Sequence, residues 1–141
     1  MRMKIPPHAV RTDLEVPFHD VDSLQIVWHG HYLKYAEIGR SAFLRARQMD
    51  MADLLELGVG MVVVDLNVRY SFPSRYADKL QIATWCTRLD HRINLAFVIE
   101  NLTAQQWAAR GEVSLMVTDR AGQVLVEPHP QIRQRLMQGE L

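Results

Sequence analysis

The stretch 18-FHDVDSLQIVWHGHYLKYAEIGRSAFLRARQ-48 decides the fold, because its character changes in the middle. Residues 19–30 show no periodicity and are crowded with ionisable groups. From residue 31 to 48 the spacing predicts a helix: Tyr32, Tyr35, Ala36, Gly39, Phe43 and Ala46 follow the i, i+3, i+4, i+7 rule and form one stripe. Lys34, Glu37, Arg45 and Arg47 fall mostly elsewhere. The middle of the stripe is small. Glycine inside a helix costs about 1 kcal/mol relative to alanine, so close packing is expected to offset Gly39. A long helix with small residues on its buried face is one pressed against a curved sheet.

Outward from this helix the chain reads as strands. Before it, residues 11–18 alternate, with Leu14, Val16 and Phe18 on one side and Asp13 and Glu15 on the other. After it, Val64, Leu66, Val68, Tyr70 and Phe72 alternate with polar residues until Pro73 ends the run, and the apolar stretch reaches back to Val62. Residues 80–89 and 93–102 are rich in β-formers and meet at the polar turn Asp90-His91-Arg92. Residues 109–117 alternate again. The turn Asp119-Arg120-Ala121-Gly122 leads to a short strand at 123–126, and Pro128 and Pro130 introduce a short C-terminal helix. One long helix followed by consecutive strands implies an α+β protein with a mainly antiparallel sheet. No glycine-rich phosphate loop follows a strand, which argues against doubly wound nucleotide-binding enzymes.

Composition narrows the class further. The 141 residues suit one domain, spanning 1–141. Apolar residues at 48% and charged residues at 23% describe a globular chain. The 16 basic side chains cancel the 16 acidic ones, so nucleic acid and anionic lipid are not expected partners. A single cysteine, Cys86, precludes an internal disulfide and reads as a small core residue. No signal peptide or membrane span is read, and a cytoplasmic location without stable membrane insertion is the expectation.

Any chemistry should lie in residues 18–32, where Asp20, Asp22, His19, His29 and His31 precede the helix start. A helix N-terminus offers unpaired N–H groups and a positive dipole end, able to polarise a carbonyl and hold an oxyanion. A neighbouring carboxylate can attack that carbonyl or activate water. Here the chain resembles the hotdog-fold acyl-CoA thioesterases of the 4-hydroxybenzoyl-CoA thioesterase-like group. Their motif, aromatic-x-Asp-x-Asp-x-x-Gly-x-Val, is followed by a tyrosine five residues later and then by a helix carrying Tyr and Glu. This sequence supplies Phe18, Asp20, Asp22, Val27, Tyr32, Tyr35 and Glu37, and residues 68–78 also resemble the family's strand-to-strand passage.

The resemblance runs from about residue 14 to 126. It implies one long central helix wrapped by a five- or six-stranded sheet, and hydrolysis of acyl-CoA or acyl-carrier-protein thioesters without cofactor or metal. Asp22 corresponds to the catalytic carboxylate, as nucleophile or general base, and the backbone N–H groups at His29 and Gly30 to the oxyanion donors. It also implies a homodimer or homotetramer with the site between subunits.

Each residue has a plainer use. Asp22 could serve an Asx-turn or a helix cap. Asp20 is expected to order the loop by accepting backbone N–H bonds. Gln25 replaces the family's glycine and either reaches the pocket or is solvated. Trp28 would floor the acyl pocket or fill the core, and Tyr32 would contact substrate. The His29/His31 pair could suggest metal, but loop histidines explain it, and the resembled family uses none. Glu37 reads as a solvated or subunit-bridging charge. Among Arg69, Arg75, Arg88 and Arg92, the last two rank first for the phosphates of coenzyme A. The rival reading is a weakly active or non-catalytic hotdog protein that binds acyl ligands. A hotdog dehydratase lacks its motif here.

Overall fold

The computed structural model describes residues 4–127 and 129–137. Pro128, read above as part of the entry to the last helix, lies outside them, as do 1–3 and 138–141. The strands are β1 (Val10–Glu15), β2 (Gly60–Tyr70), β3 (Lys79–Leu89), β4 (Ile93–Asn101) and β5 (Gln106–Thr118). They form one antiparallel sheet in the order β1-β3-β4-β5-β2. The helices are α1 (His31–Ala46), α2 (Met51–Leu57) and α3 (Pro130–Met137). α1 lies chiefly against β1, β3 and β4, in the hotdog arrangement that the resemblance implied.

The small middle of α1 has the purpose its pattern suggested. A Cβ on Gly39 would strike the Ile82 side chain and sit 2.9 Å from Thr84 Oγ1, so the glycine lets helix and β3 approach. Either side of that contact the core divides. Tyr32, Tyr35 and Ala36 pack with Ile82, Phe97 and Ile99, while Phe43 packs with Ile93, Leu95 and Leu115. At its last turn the stripe departs from expectation. Ala46 is exposed, and Arg47 is buried instead, its guanidinium 4.9 Å from the centre of the Phe43 ring.

Three strand readings are corrected. β1 stops at Glu15, and residues Phe18–Asp20 form a 3-10 turn that leaves Phe18 73% exposed rather than inward. Pro17, without an N–H, suits that exit from the strand. The predicted strand at 123–126 is one bridge, Val124 to Thr118, beyond the turn where Gly122 takes φ 86°. β2 ends at Tyr70, two residues short of the alternating run read to Phe72, and Val62, Val63, Val64 and Leu66 are all exposed. The alternation is real. What is missing is cover, because β2 is an edge strand while α1 lies chiefly against β1, β3 and β4.

α2 was not read from the sequence at all. It is short, and none of its residues is fully buried, although Leu54 and Leu57 rest against the core. Its ends were nonetheless marked. Asp50 and Asp53 form a reciprocal capping box, and Gly58 closes the helix in the left-handed conformation.

Candidate active site

Residues 16–30 leave β1, cross the end of the sheet and deliver the chain to the start of α1. Asp20 anchors this passage. It is 1% exposed, with Oδ1 accepting from Lys34 Nζ at 2.7 Å and Oδ2 from the Tyr35 hydroxyl at 2.6 Å. His19 and His31 stand 3.7 and 3.8 Å from the same carboxylate. Burial pushes its pKa up, but the hydrogen bonds from Lys34 and Tyr35 and the nearby positive charge outweigh that, leaving it below the ordinary value. Burial and the bond to Asp20 both raise the Tyr35 phenol, which stays protonated. Asp20 therefore orders the loop through side chains rather than by the backbone N–H bonds expected of its carboxylate. Its own carbonyl accepts the Trp28 N–H at 3.1 Å, bringing the residues before the helix back over Asp20.

Asp22 sits on the tip of this loop, partly exposed. Its Oδ1 accepts the Leu24 N–H at 2.9 Å, which is an Asx-turn, and its carbonyl accepts the Gln25 N–H at 2.9 Å. Oδ2 has no protein partner among the described residues. The plain use of Asp22 is thus realised, and one carboxylate oxygen remains available.

Gln25 is exposed and adopts φ 64°, a left-handed conformation that costs a side-chain-bearing residue about 1–2 kcal/mol. This turn explains why the resembled motif carries glycine there, and the Gln25 side chain does not line the cleft described below. Gln25→Gly is expected to raise stability by about 0.5–1 kcal/mol, the relieved strain less the extra entropy of an unfolded glycine. A thermal melt checks this, and a lower melting temperature would exclude strain at this turn.

Trp28 lies outside the core and does not line the cleft described below. It is 48% exposed, and its ring covers Gly30, where any Cβ would strike it, and meets the His31 ring edge-on at 5.4 Å. Beyond it, α1 begins without a side-chain cap. Among the described residues, the N–H groups of His29 and Gly30 have no protein acceptor. The His29 carbonyl, by contrast, accepts from the Tyr70 hydroxyl at 2.9 Å and from the Tyr32 N–H at 3.4 Å.

A small cleft of about 240 Å³ opens beside these groups, lined by His29, Tyr32, Tyr70, Phe72 and Pro73 among others. Tyr32 contributes its ring. Its hydroxyl is occupied by the Ser74 N–H at 3.1 Å. Ser74 also accepts Val27 N–H through its carbonyl at 2.8 Å, and its hydroxyl accepts from Asn101 Nδ2 at 3.2 Å. The loop after β2 is thereby fastened to the loop before α1. Tyr70, Ser74 and Asn101 were not singled out from the sequence. Their places depend on pairing between distant segments, and no local pattern announces them.

The structure does not bring Arg88 and Arg92 to this cleft. Tyr70 pairs with Ala109, next to Ile99, whereas Val63 pairs with Leu115, next to Ile93. The arginine hairpin is therefore at the opposite end of the sheet, about 20 Å away along the strands. Arg88 is also engaged by Asp90 at 2.9 Å. The Arg92 N–H and the Arg88 guanidinium hold Asp90 below the ordinary carboxylate range. The Arg92 guanidinium has no ion-pair partner among the described residues, so it is the freer cation. Glu37 is exposed, and Cys86 is half-buried at the edge of the core. His, Cys, Asp and Glu side chains form no metal-sized cluster among the described residues.

A family model described as the thioesterase-like superfamily matches residues 16–136. The chain belongs to that superfamily. Within the thioesterase-like superfamily, it is 32% identical over 78 residues to YneP of Bacillus subtilis (strain 168), whose name carries a provisional acyl-CoA thioesterase assignment. That alignment covers 55% of this chain and 56% of YneP. It is 30% identical over 79 residues to the acyl-CoA thioester hydrolase YbgC of Escherichia coli O157:H7, covering 56% and 59% of the two chains. The chain thus spans little more than half the length of these two relatives. Its fold matches that of Slr0204, a 1,4-dihydroxy-2-naphthoyl-CoA thioesterase from Synechocystis, with a TM-score of 0.82 at 13% identity over 94% of this chain and 98% of that one.

Proposed function

We propose that this thioesterase-like protein hydrolyses acyl-CoA thioesters, R–CO–S–CoA and water giving R–COOH and free thiol. The observation that carries the reading is the pair of acceptor-free N–H groups at His29 and Gly30, on the same loop as the Asp22 carboxylate and beside an apolar cleft. Donors fixed at a helix start stabilise charge as it develops on the thioester oxygen. Asp22 is the group that begins the reaction. As nucleophile, its carboxylate attacks the carbonyl carbon, expels the thiolate and leaves a mixed anhydride for water to open. As general base, it takes a proton from the attacking water. Acyl carrier protein is the alternative thiol carrier, and a cytoplasmic location and a single domain over 1–141 belong to the same reading.

The Asx-turn of Asp22 favours a second reading, an acyl-ligand binder without turnover, in which the carboxylate only shapes the loop. A hydrolysis panel of aromatic, short-chain and long-chain acyl-CoAs separates the two. Thiol release with at least one member supports the enzyme, and saturable binding without release supports the binder.

The working unit is a homodimer or a dimer of dimers joined along β2. An open strand edge flanked by exposed valines and a leucine calls for cover. Antiparallel pairing of β2 with its copy would put each chain's Arg92 hairpin at the same end of the joined sheet as the other chain's Asp22. This gives the arginines a route to phosphates that a single chain does not provide. Sedimentation at micromolar concentration is expected to show a dimer or tetramer, and a monomer would overturn this assembly.

A further inference from the structure

We infer that Tyr70 is a positioning residue whose hydroxyl fixes the His29–Gly30 peptide so that the Gly30 N–H faces the thioester oxygen. The inference rests on the thioesterase reading above and assigns part of its machinery to a residue on a different element. The deciding contact is the 2.9 Å hydrogen bond from the Tyr70 phenol to the His29 carbonyl. A peptide unit is planar and trans, so its C=O and the following N–H point in opposite directions. Holding the His29 oxygen therefore aims the Gly30 hydrogen. The remaining bond on that oxygen, from the Tyr32 N–H, is long at 3.4 Å and cannot define the plane as tightly.

Tyr70 is itself held from three directions. Behind it, the backbone pairs with Ala109, and the next two N–H groups, Ser71 and Phe72, both donate to the Ala108 carbonyl, at 2.9 and 3.2 Å. Beside it, the Tyr32 ring packs at 5.5 Å and 66°, and the His29 ring at 6.2 Å and 78°. Its 47% exposure means that the fold does not depend on burying it. An exposed aromatic at the end of a strand, clamped onto the carbonyl of a helix start, serves orientation better than stability. Preorganised donors matter because they need no rearrangement as the charge develops.

Tyr70→Phe keeps the ring and removes only the hydroxyl. The expected result is a kcat about 3- to 10-fold lower, the scale of one modest hydrogen bond and well short of losing an oxyanion donor outright. KM should stay within about twofold, since ground-state binding is unaltered. A structural readout accompanies it: the Gly30 amide resonance in ¹H–¹⁵N spectra of the free protein should shift, while amides of β3 and β4 stay put. Unchanged kcat, an effect confined to KM, or an unmoved Gly30 amide would each overturn the assignment. Tyr70→Ala in parallel should lose at least as much kcat, and recovery there would also overturn it. Failure of the parent reading looks different. In that case the wild-type protein releases no thiol from any acyl-CoA, and the Tyr70 assignment falls with it.

Discussion

Asp22→Asn is expected to lower kcat/KM at least 10²-fold with every acyl-CoA that the wild-type protein hydrolyses, while the fold stays intact. General-base assistance alone is typically worth 10²–10⁴-fold, and loss of a nucleophile can cost more. Asparagine keeps a carbonyl oxygen where Oδ1 now accepts the Leu24 N–H at 2.9 Å, so the Asx-turn persists. What disappears is the charge on Oδ2, the oxygen without a protein partner among the described residues. If Asp22 only shaped the loop, the variant would hydrolyse normally. Circular dichroism confirms folding, and a folded variant with near-wild-type turnover would falsify the mechanism.

Asp20 should respond in the opposite manner, through stability. Asp20→Ala removes the acceptor of both the Lys34 ammonium and the buried Tyr35 hydroxyl. Lys34 is half-exposed and can turn to water, whereas the Tyr35 hydroxyl is left without a partner. The expected cost is about 2–4 kcal/mol. Replacing Tyr35 by Phe in the same protein should recover part of it, because the stranded hydroxyl goes too. The acid branch gives an independent check. The folded pKa of Asp20 lies below the ordinary 3.8, so its stabilisation is complete above that value and is lost as pH falls through the folded value. Between pH 4 and 2 the melting temperature of the wild type should therefore fall more steeply than that of Asp20→Asn. Parallel curves would show that the carboxylate contributes no charge-dependent stability.

The helix, the four long strands and the β3–β4 turn were legible because each is written in a local period. The lack of periodicity over residues 19–30 marked a loop, and Asp22, His29 and Gly30 lie in it. Local reading failed where a residue's fate depends on what covers it. Phe18 continues the alternation of Leu14 and Val16, yet it lies 73% exposed in the turn beyond β1. Trp28 carries the apolar bulk of a core residue but lies across Gly30 at the surface. Within one chain Arg88 and Arg92 lie far from the cleft, and strand register, which no short motif encodes, sets that distance. The left-handed turn at Gln25 was hidden for another reason: the residue that usually advertises such a turn is absent.

The fastening of Ser74 to Tyr32 and Val27 has a consequence for the order in which the molecule assembles. The Tyr32–Ser74 bond closes a separation of 42 residues. α1 can form from its own local contacts, and Asp20 can tie the loop to it through Lys34 and Tyr35. Val27 and Tyr32, however, find Ser74 only once β2 has crossed the sheet and its exit has returned to the helix. Contacts of such long range carry the full entropy of loop closure and come late in folding. Competence at this site is thus a property of the finished sheet, and the helix alone cannot possess it.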